Sequence, residues 1–286
     1  MLHPVIASRD VTRYILQTFG LKAKKKFGQN FLINEQVVRG IAQYAKIGPG
    51  DLVLEIGPGI GTLTQALAET GATVKSVEID TTLLPVLAKT LEGYDNVEIV
   101  PGDALKIDLG DVTEHKPFTV AANLPYYITT PIIFALLERQ LPLQRLVVMV
   151  QKEVAERMAA GPGSKDYGPL SLAIQYYSEP HLAISVPAKD FMPAPHVDSM
   201  VVVCEKREKP PVDVDAATFF KVVRAAFSQR RKMLSNCLKS LNLSNDQVKA
   251  LMDAAGIDGK RRGESLTMEE FGRLAKAYLN KVKSKE

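Results

Sequence analysis

The sequence predicts an α/β fold in which a mainly parallel sheet of seven strands is followed by a small domain made only of helices. Two observations support this prediction. Strand-like and helix-like segments alternate from residue 51 to about residue 150, and only helical patterns follow a charged, proline-rich stretch at 206–211. Such alternation is typical of a parallel sheet with helices on both faces. We therefore expect a Rossmann-like domain over residues 1–205, which includes a basic helix and turn at 1–32, and a helical domain over 206–286.

The predicted strands are short apolar runs bounded by turn residues. They cover residues 52–56, 73–78, 97–100, 118–122, 145–150, 183–186 and 200–204. Helical stretches at 63–68, 83–91 and 131–137 separate several of these strands. Because no long helix separates the last two strands, we expect them to form a hairpin-type pair that closes the sheet.

Helix signals also mark both ends of the chain. Ser8 can cap the N-terminal helix, and Gly20 ends it. The predicted terminal helices cover 8–19, 219–227 and 232–241, and capping boxes at 244–247 and 267–270 open two more.

The composition is that of a globular protein, with 46% hydrophobic and 24% charged residues. No apolar run approaches the roughly 18 residues that a membrane span needs, and no signal-peptide pattern is visible. The only cysteines, Cys204 and Cys237, suit a reducing compartment. The four histidines share no spacing, so we expect no metal. We expect a cytoplasmic monomer without a membrane partner.

Charge is distributed unevenly along the chain. Residues 1–50 carry a net charge of +6, residues 51–205 carry −10, and residues 206–286 carry +8. Basic flanks around an acidic centre favour a polyanion at the ends and a cationic or neutral ligand in the centre. An uneven scatter of solvated charges is the alternative explanation.

A glycine-rich loop follows the first predicted strand. Gly57, Gly59 and Gly61 form a Gly-x-Gly-x-Gly pattern, which lets backbone N–H groups come close to a ligand. The dinucleotide fingerprint needs a glycine at its sixth position, where this chain has Thr62. The pattern present is instead common among methyltransferases that use S-adenosylmethionine, a cofactor without a diphosphate.

Acidic residues stand at the ends of the next two strands. Glu78 lies 21 residues after Gly57, where a carboxylate can accept both ribose hydroxyls of a nucleoside. Asp103 follows the next strand and can accept a hydrogen bond from an adenine amino group. Each carboxylate alone also fits a helix cap, but together behind the glycine loop they favour an S-adenosylmethionine site.

The segment Asn123-Leu124-Pro125-Tyr126 follows the fourth strand and is the predicted chemical centre. The Asn123 side-chain oxygen and the Leu124 carbonyl can hold the hydrogens of an adenine amine, whose lone pair is otherwise delocalised. Tyr126 offers a ring on which an extruded base can stack. A proline turn with an aromatic residue packed at the strand end is the alternative interpretation of these four residues.

Together these residues resemble the KsgA/RsmA family of small-subunit rRNA adenine dimethyltransferases, which is related to the Erm enzymes. The resemblance runs nearly end to end. The matching motifs lie at 27–32, 55–61, 78, 102–104, 123–128, 191–195 and 227–234.

The resemblance implies several further roles. Asn30 and Leu32 would complete the cofactor pocket, and Phe191 would stack on the target base opposite Tyr126. The implied substrate is the hairpin near the 3′ end of 16S rRNA, within an assembly intermediate of the small ribosomal subunit, where two adjacent adenines each receive two methyl groups.

Basic clusters on both flanks predict a surface that follows RNA phosphates. The clusters are Lys24, Lys25 and Lys26; Arg230, Arg231 and Lys232; and Lys260, Arg261 and Arg262. Any one of them alone would fit a solvated helix face.

Two other functions fit parts of the pattern. The first is an Erm-type methyltransferase acting on 23S rRNA, which residues 227–234 and 261–266 disfavour. The second is a non-catalytic ribosome-assembly or transcription factor, for which we expect loss of Gly57, Glu78 or Asn123, and all three are present. A DNA adenine methyltransferase is disfavoured because no target-recognition domain of typical size is available.

Overall fold

The computed structural model describes residues 4–21, 24, 28–139, 141–229 and 231–283. The chain divides into two compact units. The sheet unit comprises the chain up to Ala155 together with Pro180–Lys206, and the helical unit comprises Glu156–Glu179 and the chain from Arg207 onwards. The predicted domains, 1–205 and 206–286, differ from this division in one respect, because Glu156–Glu179 groups with the helical unit.

The central feature of the sheet unit is a seven-stranded sheet in the order β4-β3-β2-β5-β6-β9-β7. Neighbours from β4 to β6 are parallel, whereas β9 runs antiparallel to β6. The strands are β1 (Phe31–Leu32), β2 (Leu52–Ile56), β3 (Thr73–Glu78), β4 (Val97–Pro101), β5 (Phe118–Asn123), β6 (Leu143–Gln151), β7 (Ser178–Val186), β8 (Phe191–Met192) and β9 (Ser199–Lys206). The predicted α/β fold with a mainly parallel, seven-stranded sheet is confirmed.

The helices begin at side-chain caps in several places. Ser8 caps the first helix as predicted, since its hydroxyl accepts from the Val11 N–H. A helix that the sequence patterns did not reveal starts after Asn34, whose side chain accepts from the N–H groups of Gln36 and Val37. The helices are α1 (Arg9–Thr18), α2 (Glu35–Ala45), α3 (Thr62–Ala68), α4 (Leu84–Thr90), α5 (Leu109–Val112), α6 (Thr129–Glu138), α7 (Lys152–Ala159), α8 (Pro169–Tyr177), α9 (Ala216–Ala226), α10 (Leu234–Cys237), α11 (Asn245–Ala255) and α12 (Met268–Lys283).

The core of the sheet unit lies between the central strands and the helices that cover them. Val53 on β2, Ala121 on β5 and Val147 on β6 are fully buried and belong to the same apolar cluster as Ile41 of α2 and Leu67 of α3. Burying one large aliphatic side chain contributes about 1.5–3 kcal/mol. This layer therefore fixes the strand ends, from which the candidate site is built.

A second, two-stranded sheet joins distant parts of the sheet unit. β1 pairs antiparallel with β8, so that Phe31 lies opposite Met192 and Leu32 lies opposite Phe191. The backbone contact continues beyond the strands, because the Ile33 N–H donates to the Asp190 carbonyl at 2.8 Å. The pairing brings the N-terminal segment next to Phe191. No local sequence pattern predicts this pairing.

The helical unit has its own aromatic core, which explains why Glu156–Glu179 belongs to it. The ring of Tyr176 in α8 lies 4.9 Å, between centroids, from that of Phe219 in α9. Leu172 and Tyr167 are buried in the same cluster, and the Tyr167 hydroxyl donates to the Leu266 carbonyl at 3.0 Å.

The helix predicted over 232–241 is shorter than expected. α10 begins only at Leu234, and a 3-10 turn over Leu238–Leu241 replaces its second half, where Asn242 adopts a left-handed conformation that ends the segment. The predicted capping box before α11 is present, since Ser244 and Gln247 exchange side-chain-to-backbone hydrogen bonds. None of the helices in the described part of the chain combines the length and apolar character that crossing a membrane requires.

Candidate active site

A cleft of about 820 Å³, counted to its open mouth, lies at the carboxyl ends of β2, β3 and β5. Gly57, Glu78 and Asn123, which follow or end these strands, line it. Ligands of parallel α/β proteins bind at this edge because the loops there diverge from the sheet. The remaining walls come from residues 28–32 and from Phe191.

The glycine loop forms one wall of the cleft. Gly59 has a φ of 61°, a conformation that side-chain-bearing residues rarely adopt, and a Cβ there would lie 3.5 Å from the Phe31 ring. The loop is fastened to the neighbouring strand by the Gly57 N–H, which donates to the Val77 carbonyl at 2.9 Å. Gly57 and Gly59 therefore leave backbone bordering the cleft, as the sequence predicts.

Gly61 has a different environment from the other two glycines. It precedes α3 with a φ of 92° and is not part of the cleft wall. A Cβ at this position would approach Leu91 Cδ2 and Thr90 Oγ1 to 3.1 Å each. Gly61 therefore lies against the end of α4, and its predicted contact with a cofactor remains a prediction.

Glu78 is buried and held by two backbone groups. Its Oε1 accepts from the Asp80 N–H at 2.7 Å, and its Oε2 accepts from the Gly59 N–H at 3.3 Å. Burial raises the pKa of the Glu78 carboxyl above its ordinary value, although these hydrogen bonds oppose the shift. The carboxylate is fixed in orientation, and each oxygen has a further lone pair available to a ligand.

Asp80 does not line the cleft but holds Gln29 and Glu78, which do, and the sequence patterns missed it. Its carboxylate accepts from Lys24 Nζ at 2.9 Å and from Gln29 Nε2 at 3.0 Å, which ties these two residues to the end of β3. Burial raises the pKa of the Asp80 carboxyl, but hydrogen bonds from Thr82, Lys24 and Gln29 outweigh it and leave the pKa lowered. Its position two residues after Glu78, just beyond a strand, was the available signal.

Asp103 is turned towards its own loop. It accepts from the Leu105 N–H at 3.0 Å and lies 3.5 Å from Lys106 Nζ, and it is not among the residues that border the cleft. Tyr127, which does border the cleft, is close enough to Asp103 and Glu78 for both charges to affect its hydroxyl. Burial and then the charges of Asp103 and Glu78 raise the pKa of the Tyr127 hydroxyl. The predicted adenine contact of Asp103 remains a prediction.

Glu55 is a second carboxylate in the cleft, and it is almost completely buried. Its Oε2 accepts from Thr64 Oγ1 and from Ser76 Oγ, each at 2.7 Å. Burial raises the pKa of Glu55 to about 7, while the two hydroxyl donors lower it and the Glu78 charge adds to the rise. The sequence placed Glu55 at the strand end but carried no sign of this hydroxyl network.

The predicted chemical centre forms another wall of the cleft. Leu124 is buried and continues the strand pairing, since its N–H donates to the Met149 carbonyl at 3.1 Å. The Pro125 carbonyl accepts from the Ile128 N–H at 3.1 Å and from Thr129 Oγ1 at 3.0 Å, which makes this segment a rigid turn. The Asn123 amide borders the cleft and has no side-chain hydrogen-bond partner in the described chain.

Two aromatic residues complete this wall. The hydroxyl of Tyr126 lies 2.6 Å from Ser199 Oγ, and burial raises its pKa. Phe191 is buried and borders the same cleft, next to its ladder partner Leu32. The cleft thus collects the predicted residues Asn30, Leu32, Gly57, Gly59, Glu78, Asn123, Leu124, Tyr126 and Phe191.

The predicted RNA-binding residues have different environments. Lys24 is held by Asp80 and Thr82, at 2.9 and 2.7 Å. Arg261 forms a bidentate ion pair with Glu270, and its guanidinium thereby stabilises the turn before α12. Arg231 and Lys232 are exposed in the helical unit. Lys25, Lys26 and Arg230 lie outside the described residues.

Across the described chain, no group of three or more His, Cys, Asp or Glu side chains is arranged to hold a metal ion. The polar side chains that line the cleft are carboxylates, amides and hydroxyls. Such a set can orient neutral and cationic groups by hydrogen bonding.

The chain is similar to known proteins over nearly its whole length. A family model described as ribosomal RNA adenine dimethylase matches residues 20–280. The ribosomal RNA small subunit methyltransferase A of Geobacillus thermodenitrificans is 49% identical and covers 97% of this chain and 98% of its own length. The protein of the same name from Clostridioides difficile is 44% identical over 98% of this chain and 99% of its own.

Solved structures show the same similarity. A dimethyladenosine transferase from Plasmodium falciparum is 27% identical, with a TM-score of 0.77, and covers 88% of this chain and 98% of its own. The 23S rRNA methyltransferase ErmE is also 27% identical, with a TM-score of 0.69, and covers 87% of this chain and 99% of its own.

Proposed function

The chain belongs to the ribosomal RNA adenine dimethylase family, and we propose that its substrate is 16S rRNA in an assembling small ribosomal subunit. There it dimethylates the N6 amino groups of two adjacent adenines in the 3′-terminal hairpin, with S-adenosylmethionine as the methyl donor. We further propose that it works in the cytoplasm, because that is where bacterial ribosomes are assembled.

One observation carries the proposal for the cofactor. The cleft wall contains two carboxylates, Glu55 and Glu78, and no Lys or Arg among its described residues. A dinucleotide would bring phosphates to these acids without a cation to balance them, whereas a sulfonium ligand without phosphate suits them. The residues present therefore fit S-adenosylmethionine.

The roles of the individual residues follow from their positions. Glu78, fixed by two backbone N–H groups, would accept the ribose hydroxyls, and the backbone at Gly57 and Gly59 would lie against the ligand. Asn30 and Leu32 would close the pocket from the N-terminal side. When bound, S-adenosylmethionine supplies an electrophilic methyl group.

The chain's own contribution to the reaction is to prepare the amine. The Asn123 side-chain oxygen and the Leu124 carbonyl would accept the two N–H groups of the target, which favours a pyramidal nitrogen with an available lone pair. The rigid turn at Pro125 preorganises these acceptors. The rings of Tyr126 and Phe191 would hold the extruded base between them.

Two methylations at one nitrogen need no second site. After the first transfer the amine retains one N–H, so one of the two acceptors can hold it again once the C–N bond rotates and the cofactor is replaced. Direct displacement would form the N–C bond as the S–C bond breaks, with S-adenosylhomocysteine as the leaving group and one amine proton lost to water, so no covalent enzyme intermediate is required.

The helical unit would anchor the RNA. Arg231 and Lys232 are exposed and have no ion-pair partner among the described residues, so their charges are available to phosphates. Arg261 is paired with Glu270, so its charge is less available to phosphates than those of Arg231 and Lys232.

An Erm-type activity on 23S rRNA is the second candidate, and the ErmE fold supports it. The degree of similarity favours the small-subunit function, since relatives with that name are 44–49% identical over nearly the whole chain, against 27% for ErmE. A non-catalytic function is disfavoured because the cleft residues are all present.

The test is methyl transfer from labelled S-adenosylmethionine to purified small and large subunits that lack these methyl groups. We expect label in 16S rRNA alone, at two adjacent adenines near the 3′ end, approaching two methyl groups on each. Label in 23S rRNA alone would identify an Erm-type enzyme, and label in neither RNA would support a binding protein.

A further inference from the structure

Thr62 contains a buried hydroxyl group without a partner, next to the cleft. It is the first residue of α3, directly after the glycine loop, and its side chain is 93% buried, at 7% exposure. Its Oγ1 has no hydrogen-bond partner, and within the described chain it is the only buried side-chain nitrogen or oxygen of which this is true. Thr62 also borders the cleft.

Thr64 shows that a buried threonine hydroxyl in α3 can have a hydrogen-bond partner. It lies two residues further along α3, is also buried, and donates its hydroxyl to Glu55 Oε2 at 2.7 Å. A buried hydroxyl without a partner costs folding free energy, because it gives up its hydrogen bonds to water. Such groups are found where a ligand supplies the missing bond.

The other polar groups of the cleft indicate which part of the cofactor could hydrogen-bond to Thr62. Under the proposed function, Glu78 takes the ribose and Asn123 takes the target amine. Asn30 closes the pocket, which leaves Glu55 and Thr62 as polar side chains of β2 and α3 for the amino-acid end of the cofactor. The amino-acid end is a zwitterion, so its ammonium can balance the Glu55 carboxylate. Its own carboxylate would attract the Thr62 hydroxyl strongly, since hydrogen bonds to a charged acceptor are shorter and stronger.

We propose that Thr62 is a cofactor-binding residue whose hydroxyl donates a hydrogen bond to the carboxylate of the amino-acid end of S-adenosylmethionine. The inference rests on the proposed function. The Thr62 hydroxyl then lowers the stability of the ligand-free protein and strengthens cofactor binding in the complex. The residue at this position is the one that separates the chain from the dinucleotide fingerprint, where a glycine without a hydroxyl would stand.

The test compares Thr62→Val, which replaces the hydroxyl by a methyl group of similar size, with Thr62→Ser, which retains the hydroxyl. Calorimetry measures binding of S-adenosylhomocysteine and of 5′-methylthioadenosine, which lacks the amino-acid end. We expect Thr62→Val to weaken S-adenosylhomocysteine about tenfold and to leave 5′-methylthioadenosine within about twofold. Thr62→Ser should bind both ligands as the parent protein does.

Thermal unfolding without ligand supplies an independent measurement. We expect Thr62→Val to melt at the same temperature as the parent or about 2 °C higher, because it removes an unpaired buried hydroxyl. The matched control, Thr64→Val, should melt several degrees lower, since it removes a used hydrogen bond. The inference is overturned if Thr62→Val melts lower as Thr64→Val does, binds S-adenosylhomocysteine normally, or weakens both ligands equally. If the parent protein binds neither ligand, the proposed function itself fails.

Discussion

The hydroxyl of Tyr126 and the hydroxyl of Ser199 lie 2.6 Å apart, which joins the chemical centre to the first residue of β9. Ser199 is fully buried and paired with Gln151 of β6. The ring of Tyr126 is thereby held in one orientation by the rigid sheet, although its residue lies in a turn. Stacking on a preset ring costs less entropy than stacking on a free one.

Loss of the Tyr126–Ser199 contact should impair RNA methylation and spare cofactor binding. A neutral hydrogen bond contributes about 1 kcal/mol, so we expect kcat/KM for RNA to fall about fivefold in Ser199→Ala and in Tyr126→Phe. The double variant should be no worse than either single variant, because both remove the same bond. Additive losses, or a weaker affinity for S-adenosylhomocysteine, would contradict the positioning role.

Removal of the Asn123 side chain should separate chemistry from binding. We expect Asn123→Ala to lower the single-turnover rate of methyl transfer by about 10²–10³-fold, the loss typical of one preorganised acceptor or donor. Affinity for S-adenosylhomocysteine should stay within about threefold.

Asn96→Ala provides the matched control. The Asn96 amide donates to the Ala68 and Ala72 carbonyls at 2.9 and 2.8 Å, away from the cleft. This variant should unfold at a lower temperature but transfer methyl groups normally when folded. Substantial transfer by Asn123→Ala would show that the amine is activated in another way.

Glu55 should make stability depend on pH in a direction opposite to most carboxylates. Its pKa in the folded protein is about 7, above the roughly 4.3 of an unfolded chain. The folded state then binds the proton more tightly, so stability falls as the pH rises from about 4.5 to 7 and levels off above that. The loss amounts to at most about 4 kcal/mol.

The measurement is urea unfolding of the parent protein and of Glu55→Gln at pH 5 and pH 8. Gln is neutral throughout, and its oxygen can still accept from Thr64 and Ser76. We expect Glu55→Gln to match the parent at pH 5 and to exceed its stability at pH 8. A difference between the two proteins that does not change with pH would rule out this titration.

Two lysines of the predicted RNA surface should respond differently to substitution. Lys232→Met should weaken RNA binding at low salt and reduce the slope of log K against log salt by about 1, the value for one phosphate contact. Lys24→Met should change that slope less, because the Lys24 ammonium already faces Asp80. It should instead weaken cofactor binding, since Lys24 shares the Asp80 carboxylate with Gln29, which lines the cleft. Equal slopes for both variants would contradict the assignment of Lys232 to RNA binding and of Lys24 to the contact with Asp80.

The parts of the fold that sequence patterns predicted are those encoded locally. The strand Leu52–Ile56 is a continuous apolar run before glycines, and Asn123 follows another such run, so both their existence and their shared edge were predictable. The pairing of Leu32 with Phe191 joins residues far apart in the chain through backbone hydrogen bonds, which any sequence can make. Periodicity carries no signal for it, and only family resemblance pointed to Phe191.

Side-chain direction is the other quantity that spacing does not determine. Glu78 and Asp103 stand at equivalent strand ends, yet Glu78 borders the cleft and Asp103 caps its own turn at Leu105. Gly61 fits the glycine pattern as well as Gly59 does, yet it packs on Leu91. The orientation in each case is decided by contacts with segments that the pattern does not include.

The short ladder between β1 and β8 constrains how the chain can change in length. Under the proposed function Leu32 contacts the cofactor and Phe191 the base, and they are opposite residues of one ladder. A one-residue insertion or deletion in either segment would shift the register of this ladder and break the pairing. We therefore expect such a change to weaken donor and acceptor binding together, even where every catalytic side chain is retained.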